Sequence, residues 1–313
     1  MNCCLCGTQK LVVLTTRLRD RPGKVWYCDA CELGMLERKP SNLKKYYDEK
    51  YRKHYSPRVN QTSSYAEIFE SYVHYQTQRV QLLRPWLRQD MRLLDVGCQT
   101  GHFLFNIKNL VKEVVGVDYD SGAADFASKV CQCTTFGCGL DETGLPPASF
   151  DVVCAMQTME HVADPVSFAS TLGKYLKLNG IIYIEVPNLK DALLSVYNNQ
   201  PFRDFYYREA HILYLTQSSL EAVMSRAGFE GTIHFLQDYN FLNHLHWNFI
   251  GQPQPSCHDG MGVPKLPSVG VEGELRKDLE DWAKHADMEY KSVLIKHGIS
   301  DNIAFIGKLV KAN

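Results

Sequence analysis

No stretch of this chain approaches the roughly 18 consecutive apolar residues that a membrane-spanning helix requires, so no membrane association is expected. Charge of one sign is also missing. The 34 Lys and Arg residues meet 35 Asp and Glu, for a net charge of −1, and such a balance offers no broad field to nucleic acid or to an anionic membrane. Met1-Asn2-Cys3-Cys4 has no basic start followed by an apolar stretch, so a secretory leader is not expected and a cytoplasmic location is. That absence bears on the 11 cysteines: without a secretion signal they read as reduced thiols and metal ligands rather than disulfides. The rest is an ordinary globular composition, 45% apolar over 313 residues, long enough for one large domain or two small ones.

Two C-x-x-C pairs, Cys3/Cys6 and Cys28/Cys31, stand 21 residues apart. Tetrahedral zinc takes four thiolates at about 2.3 Å, and each pair supplies two from one tight turn. Gly7 suits a backbone folding back under the metal. Between the pairs, Leu11-Val12-Val13-Leu14 and Lys24-Val25-Trp26-Tyr27 flank Arg21-Pro22-Gly23, a zinc-ribbon layout over residues 1–40. Four cysteine ligands leave no open coordination position, so the zinc is expected to be structural. Unliganded thiols in a small arm are the alternative, but a segment of roughly 40 residues has little core of its own. Cys4 is surplus to the spacing. A tyrosine-rich polar connector follows over residues 41–88, with Tyr46, Tyr47, Tyr51 and Tyr55 and a helical pattern from Tyr65 to Leu87.

The most informative stretch is Leu93-Leu94-Asp95-Val96-Gly97-Cys98-Gln99-Thr100-Gly101. An apolar run ends in an acid, turns through two glycines and enters a helix at Phe103, which places backbone N–H groups at the carboxyl end of a parallel strand, where nucleotide-like ligands bind. Twenty-three residues after Asp95, Val114-Val115-Gly116-Val117 ends in Asp118, an acid positioned to accept from two ribose hydroxyls. The pattern continues with a helix over 120–130, a short strand at Thr134-Thr135-Phe136, a buried strand at 150–156, a helix over 165–176 closed by Asn179-Gly180, and a strand at 181–186. Alternation of this kind predicts an α/β, doubly wound parallel sheet. The turn is not the G-x-G-x-x-G of dinucleotide folds.

From about residue 75 onward the chain resembles class I S-adenosylmethionine (SAM)-dependent methyltransferases. The resemblance rests on the Asp95–Gly101 turn, on Asp118, on Gln157-Thr158-Met159-Glu160-His161-Val162 and on Val186-Pro187-Asn188. It implies a Rossmann-like, seven-stranded domain over residues 89–313, with SAM held by Asp95, Gly97, Gln99, Gly101, Asp118, Tyr119 and Gln157. Asp141-Glu142 would lie near the adenine. Gln99 occupies a position where many members carry glycine. Sugar C-methyltransferases carry a polar residue there and add a four-cysteine zinc module, so the resemblance points to a sugar, nucleotide-sugar or glycan-precursor acceptor. O- or N-methylation of a secondary metabolite is the alternative. An RNA or protein substrate is a third reading; it lacks a basic stripe and the N-P-P-Y or D-P-P-Y motif of base amino-methylation. A module that binds SAM without turnover fits poorly with an intact turn and ribose acid.

Strands are expected at Thr232–Tyr239 and Asn302–Lys308 as an antiparallel pair, and the intervening insertion, about residues 241–300, is too long for an ordinary loop and reads as an acceptor lid. It carries His244 and His246 and a helix over 273–297. An oxygen or carbon acceptor must lose a proton, which calls for a base near neutral pKa. His161 and His211 are the candidates, both at carboxyl ends of strands, with Glu160 able to orient an imidazole or to help bind a divalent ion. His102 is expected to pack beside the cofactor. The remaining cysteines, Cys98, Cys131, Cys133, Cys138 and Cys154, form no nucleophile constellation.

Overall fold

The computed structural model describes residues 1–37, 63–266, 270 and 272–310; the connector tyrosines at 46, 47, 51 and 55 lie outside them. Two sheets organise the chain. Strands β1 (Val12–Arg17), β2 (Pro22–Cys28) and β3 (Leu33–Leu36) form an antiparallel sheet over the amino-terminal cysteines. The larger sheet contains β4 (Arg92–Val96), β5 (Glu113–Val117), β6 (Thr134–Phe136), β7 (Phe150–Met156), β8 (Leu176–Pro187), β10 (Phe229–Leu236) and β11 (Asn302–Leu309). Its order is β10-β11-β8-β7-β4-β5-β6, with β11 alone antiparallel to its neighbours. Strand order reverses between β4 and β7, which puts the ligand crevice of such sheets outside their carboxyl ends.

The strands are apolar on both sides because both faces are covered. Alternate residues point opposite ways: Leu94, Val115, Val153, Ile182 and Ile184 join one buried cluster, and Leu93, Val114, Val152, Ile181 and Tyr183 join the other. Short polar side chains start the flanking helices. Ser64 and Glu67 form a capping box at α1 (Tyr65–Tyr72). Asp120 caps α4 (Ser121–Cys131), Asp164 caps α5 (Pro165–Tyr175), and Thr216 caps α8 (Gln217–Arg226), each accepting a backbone N–H that would otherwise lack a partner.

Three local expectations are corrected. The single helix from Tyr65 to Leu87 is instead α1, a 3-10 turn, α2 (Thr77–Leu83) and a second 3-10 turn. Gln76 Nε2 donates to the Tyr72 carbonyl, the acceptor that a continuing helix would offer to the Gln76 backbone, and Pro85 has no N–H to extend α2. Asn179-Gly180 does not close α5, because β8 already begins at Leu176 and Asn179 turns within it at φ 62°. The sixth strand starts at Phe229 and ends at Leu236 rather than spanning 232–239. The insertion between β10 and β11 carries α9 (Phe241–Ile250), α10 (Cys257–Met261) and α11 (Glu274–Lys296). It leaves the sheet at its carboxyl edge, where Lys291 Nζ donates to the Asp238 carbonyl and the Phe241 N–H to Asp287. The described residues also contain the helices α3 (His102–Ile107), α6 (Ala192–Ser195) and α7 (Gln200–Tyr206) and a two-residue strand, β9 (Leu213–Tyr214).

Candidate active site

The turn after β4 and the acid after β5 meet at the crevice. Asp118 accepts the Gln99 N–H at Oδ2 and the Asp120 N–H at Oδ1, both at 2.8 Å. Gln99 itself sits at φ 47°, a left-handed conformation that ordinarily favours glycine. The residue that departs from the glycine pattern therefore keeps a glycine-like backbone, and its N–H ties the turn to Asp118. Gly97 has φ 86°, and a Cβ there would overlap Thr158 Oγ1. Thr158 donates in turn to the Val96 carbonyl at 3.2 Å, so the segment after β7 closes directly on the turn. Asp95 is buried at the end of β4. Tyr119 is half exposed beside Gly139, and the acids Glu142 and Asp141 help burial to raise its hydroxyl pKa, so the tyrosine and the acidic turn expected near adenine share one rim.

Burial raises Asp118 to about 6, and burial together with Asp118 raises Asp95 to about 8. A carboxyl whose folded pKa lies above its unfolded value near 4 stabilises the fold at low pH and loses that contribution as pH rises. The ligand-free protein is therefore expected to lose stability as pH rises from about 4 through 6 to 8. A ligand offering two hydroxyls needs the ionised Asp118, so SAM affinity is expected to rise with pH through about 6. Calorimetric titrations between pH 5 and 8 check this; a flat profile would separate Asp118 from the ligand.

Gln157, at φ 51° just beyond β7, turns its amide toward the next strand, donating to Glu185 at 3.2 Å and to Asn302 at 2.9 Å. Glu185 is the hub of a network not apparent in the sequence. Its Oε1 receives Arg79 Nε at 3.1 Å as well as Arg79 Nη2, and its Oε2 accepts the Tyr183 hydroxyl at 2.7 Å. Arg79 also reaches Asp238 Oδ2 at 2.7 Å. The two carboxylates outweigh burial and hold the guanidinium charged. Arg79 thereby pins α2, the end of β8 and the start of the insertion to one point. The signals available were an arginine on a helix face and an acid inside the apolar run Ile181–Val186.

Glu160, His161 and His211 come together, with ligand atoms within 4.8 Å of one another. His161 Nε2 lies 3.7 Å and His211 Nε2 3.9 Å from Glu160 Oε1, and the two rings meet edge to face at 4.9 Å between centroids. The Ala210 carbonyl takes a hydrogen bond from His161 Nδ1 at 2.8 Å; a carbonyl only accepts, so Nε2 carries the lone pair. Both oxygens of Glu160 and Nδ1 of His211 are buried without a hydrogen-bond partner. Burial lowers His161 to about 3 and drives His211 well down, and it raises Glu160 to about 8. In the ligand-free state all three are neutral near pH 7, with an acceptor imidazole facing a carboxyl. His102 packs against Tyr72 and is lowered to about 4 by burial. On the insertion, His244 is buried against the Tyr290 hydroxyl at 2.6 Å, while His246 sits apart and bonds the Gln252 carbonyl.

At the amino terminus the Sγ atoms of Cys3, Cys6, Cys28 and Cys31 also lie within 4.8 Å of one another, Cys6 and Cys28 at 3.6 Å. Tetrahedral Zn–S bonds of about 2.3 Å separate sulfurs by about 3.8 Å, so this cluster fits zinc. The Thr8 backbone N–H leads the effects that lower the Cys6 thiol to about 7, which favours the thiolate a metal needs. Cys4 is exposed and is not one of the four clustered thiols.

The methyltransferase-domain family model matches residues 67–233, more than half of the chain. The chain belongs to this methyltransferase family. Among curated proteins it is 30% identical over 139 residues to a "Probable S-adenosylmethionine-dependent methyltransferase" of Mycolicibacterium smegmatis, covering 44% of this chain and 51% of that one. It is 30% identical over 157 residues to a ubiquinone biosynthesis O-methyltransferase of Azorhizobium caulinodans, covering 47% and 61%. The chain thus spans about half the length of the curated relatives it matches. A SAM-dependent methyltransferase structure from Archaeoglobus fulgidus shares the fold at a TM-score of 0.50 and 19% identity, over 78% of this chain and 97% of that one. The sheet order and the late antiparallel strand are those of the class I methyltransferase fold. Among the described residues, no helix is long and apolar enough to cross a membrane.

Proposed function

We propose that this methyltransferase-family chain transfers a methyl group from SAM to a small molecule. The observation that carries the reading is the Gln99–Asp118 bond, which sets a glycine-turn cradle and a ribose acid at the switch point of the sheet. SAM, when bound, would supply an electrophilic sulfonium methyl, whose carbon bonds to the acceptor atom as the C–S bond breaks and the neutral thioether leaves. The protein's part is to align the acceptor and to receive its proton. Residues 89–313 form the catalytic domain in this reading, with 1–40 a structural zinc module, 41–88 a connector and 241–300 a lid.

Glu160, His161 and His211 are suited to the proton. An imidazole that accepts it becomes a cation 3.7–3.9 Å from the Glu160 carboxyl; the site gains one positive charge, which Glu160 offsets as an ion pair once it releases its own proton to solvent. An oxygen acceptor on a small metabolite is favoured, since several relatives are named ubiquinone biosynthesis O-methyltransferases. A sugar acceptor rests on the four-cysteine module with the polar residue at Gln99. Neither a nucleic acid nor a membrane is part of the reading, and a cytoplasmic setting is.

A second reading comes from the partnerless Glu160 oxygens and His211 Nδ1: the same trio could hold a divalent ion that polarises an oxygen acceptor. Metal analysis separates the two. About one zinc per chain, lost on Cys28→Ser, is expected from the ribbon alone; a second equivalent lost on Glu160→Gln would favour the metal-assisted form.

Asp118→Ala is expected to weaken SAM about 10- to 100-fold, the value of a hydrogen bond or two to a charged group. Unchanged calorimetric binding would remove the ribose assignment. The test of the whole reading is incubation with methyl-labelled SAM and pools of small metabolites, including nucleotide sugars and phenols, followed by mass spectrometry. A label appearing only in RNA or protein would overturn it.

A further inference from the structure

The amino-terminal sheet does not end with its own three strands. β9, which immediately follows His211 and Ile212, adds to β3 as a fourth, antiparallel strand, pairing Leu213 with Met35 and Tyr214 with Gly34. A Cβ on Gly34 would stand 2.9 Å from the Tyr214 Cβ, so glycine lets the strands close. The hydrogen bonds continue inward: the Leu36 N–H donates to the Ile212 carbonyl at 2.9 Å, and the Ile212 N–H to the Glu160 carbonyl at 2.8 Å. Ribbon strand, His211 segment and Glu160 turn are thus one line.

Further contacts act on the same segment. Arg19 donates its backbone N–H to the Tyr207 carbonyl at 2.6 Å and its Nε to the Phe205 carbonyl at 2.7 Å, with its guanidinium over the Phe205 ring. Arg21 pairs with Glu209 at 2.9 Å. Glu32, at φ 53° beside Cys31, accepts from Lys190 and Ser218, each at 2.8 Å. Among the described residues, a separate buried cluster joins Leu18, Val25 and Leu36 from the ribbon to Leu189, Leu194, Tyr207 and Tyr214 from the segment after β8. Part of that segment thus has its core on the ribbon, while Ile212, Leu213 and Leu215 join Cys3, Leu5, Cys28, Leu33 and Met35 in the cluster that the ribbon shares with the large sheet. The cofactor cradle, by contrast, is closed by bonds within the large sheet, Gly97 N–H to Val117 carbonyl and Gln99 N–H to Asp118.

We propose that the Cys3–Cys6–Cys28–Cys31 centre is a positioning device for the acceptor end of the site: the metal holds the ribbon, and the ribbon holds His211 against Glu160. Metal loss releases residues 199–218 and leaves the cradle standing. The inference rests on reading Glu160, His161 and His211 as the acceptor end, but its test reads structure rather than turnover. A failure to find methyl transfer would therefore count against the proposed function and not against this coupling.

The experiment is hydrogen–deuterium exchange of the full chain, metal-loaded and chelated, with SAM calorimetry on both. Amides of 205–216 are expected to exchange about tenfold faster or more after chelation, with those of 93–97 and 113–118 unchanged and SAM affinity within about threefold. Glu32→Gln, which is not a thiol ligand and should retain the metal, is expected to loosen 190–218 part of the way. Unchanged protection of 205–216 after measured metal loss overturns the proposal. So does loss of protection in both regions together, which would make the ribbon a part of the global fold rather than a support for one wall.

Discussion

His211→Ala is expected to lower kcat by about 100- to 10,000-fold, the usual worth of a positioned proton acceptor, while SAM affinity stays within about threefold. The reason lies in where the three neutral groups sit. His211 is 3% exposed, its Nε2 faces Glu160, and neither group has another role in the cradle that Asp118 and Gln99 form. Glu160→Gln is expected to fall in the same range, because it removes the carboxyl that can ionise beside an imidazolium in a buried site, whereas a merely structural role would permit Gln to substitute. The pH profile is the discriminating measurement: burial has lowered the imidazoles and raised Glu160 to about 8, so the glutamine variant should lose the limb that Glu160 contributes. Full activity of both variants with a confirmed acceptor would exclude the trio from proton transfer.

Arg79→Ala is expected to cost about 3–5 kcal/mol of folding stability, the penalty for removing one partner of a buried ion pair. Glu185 and Asp238 are both buried, at 0% and 8% exposure, and the substitution leaves the two carboxylates facing each other with no cation between. Tyr183 and Gln157 still donate to Glu185, which limits the loss. Urea unfolding of Arg79→Ala, Glu185→Gln and the double variant forms the cycle. A double variant less damaged than the sum of the singles is expected; additive effects would mean that the groups do not interact. Arg79→Lys should recover only part, since a single ammonium cannot bridge two acids in the forked geometry of a guanidinium.

Much of the large sheet was legible residue by residue. Thr134–Phe136 and Phe150–Met156 are strands with the bounds their apolar runs imply, and β10 and β11 form the antiparallel pair despite some 60 intervening residues. Buried strands must be apolar on both faces, so the pattern is strong. The region from Tyr65 to Leu87 misled because its apolar spacing is helical throughout, while one side-chain amide and one proline, invisible to a periodicity, break it. At the site, the turn and Asp118 announce themselves because their backbone geometry demands particular residue types at fixed spacing.

By itself, then, the sequence determined the α/β sheet, the four-cysteine cluster and the glycine turn that meets Asp118, since each depends on local patterns of a few residues. Only the tertiary structure decided that Arg79 bridges Glu185 and Asp238, that Glu160, His161 and His211 share one buried point, and that the ribbon supplies the strand and the core beside His211. Apart from the neighbours Glu160 and His161, those contacts join residues from about 50 to more than 180 positions apart. What brings them together is the burial of one surface against another, and no spacing along the chain encodes which surfaces will meet.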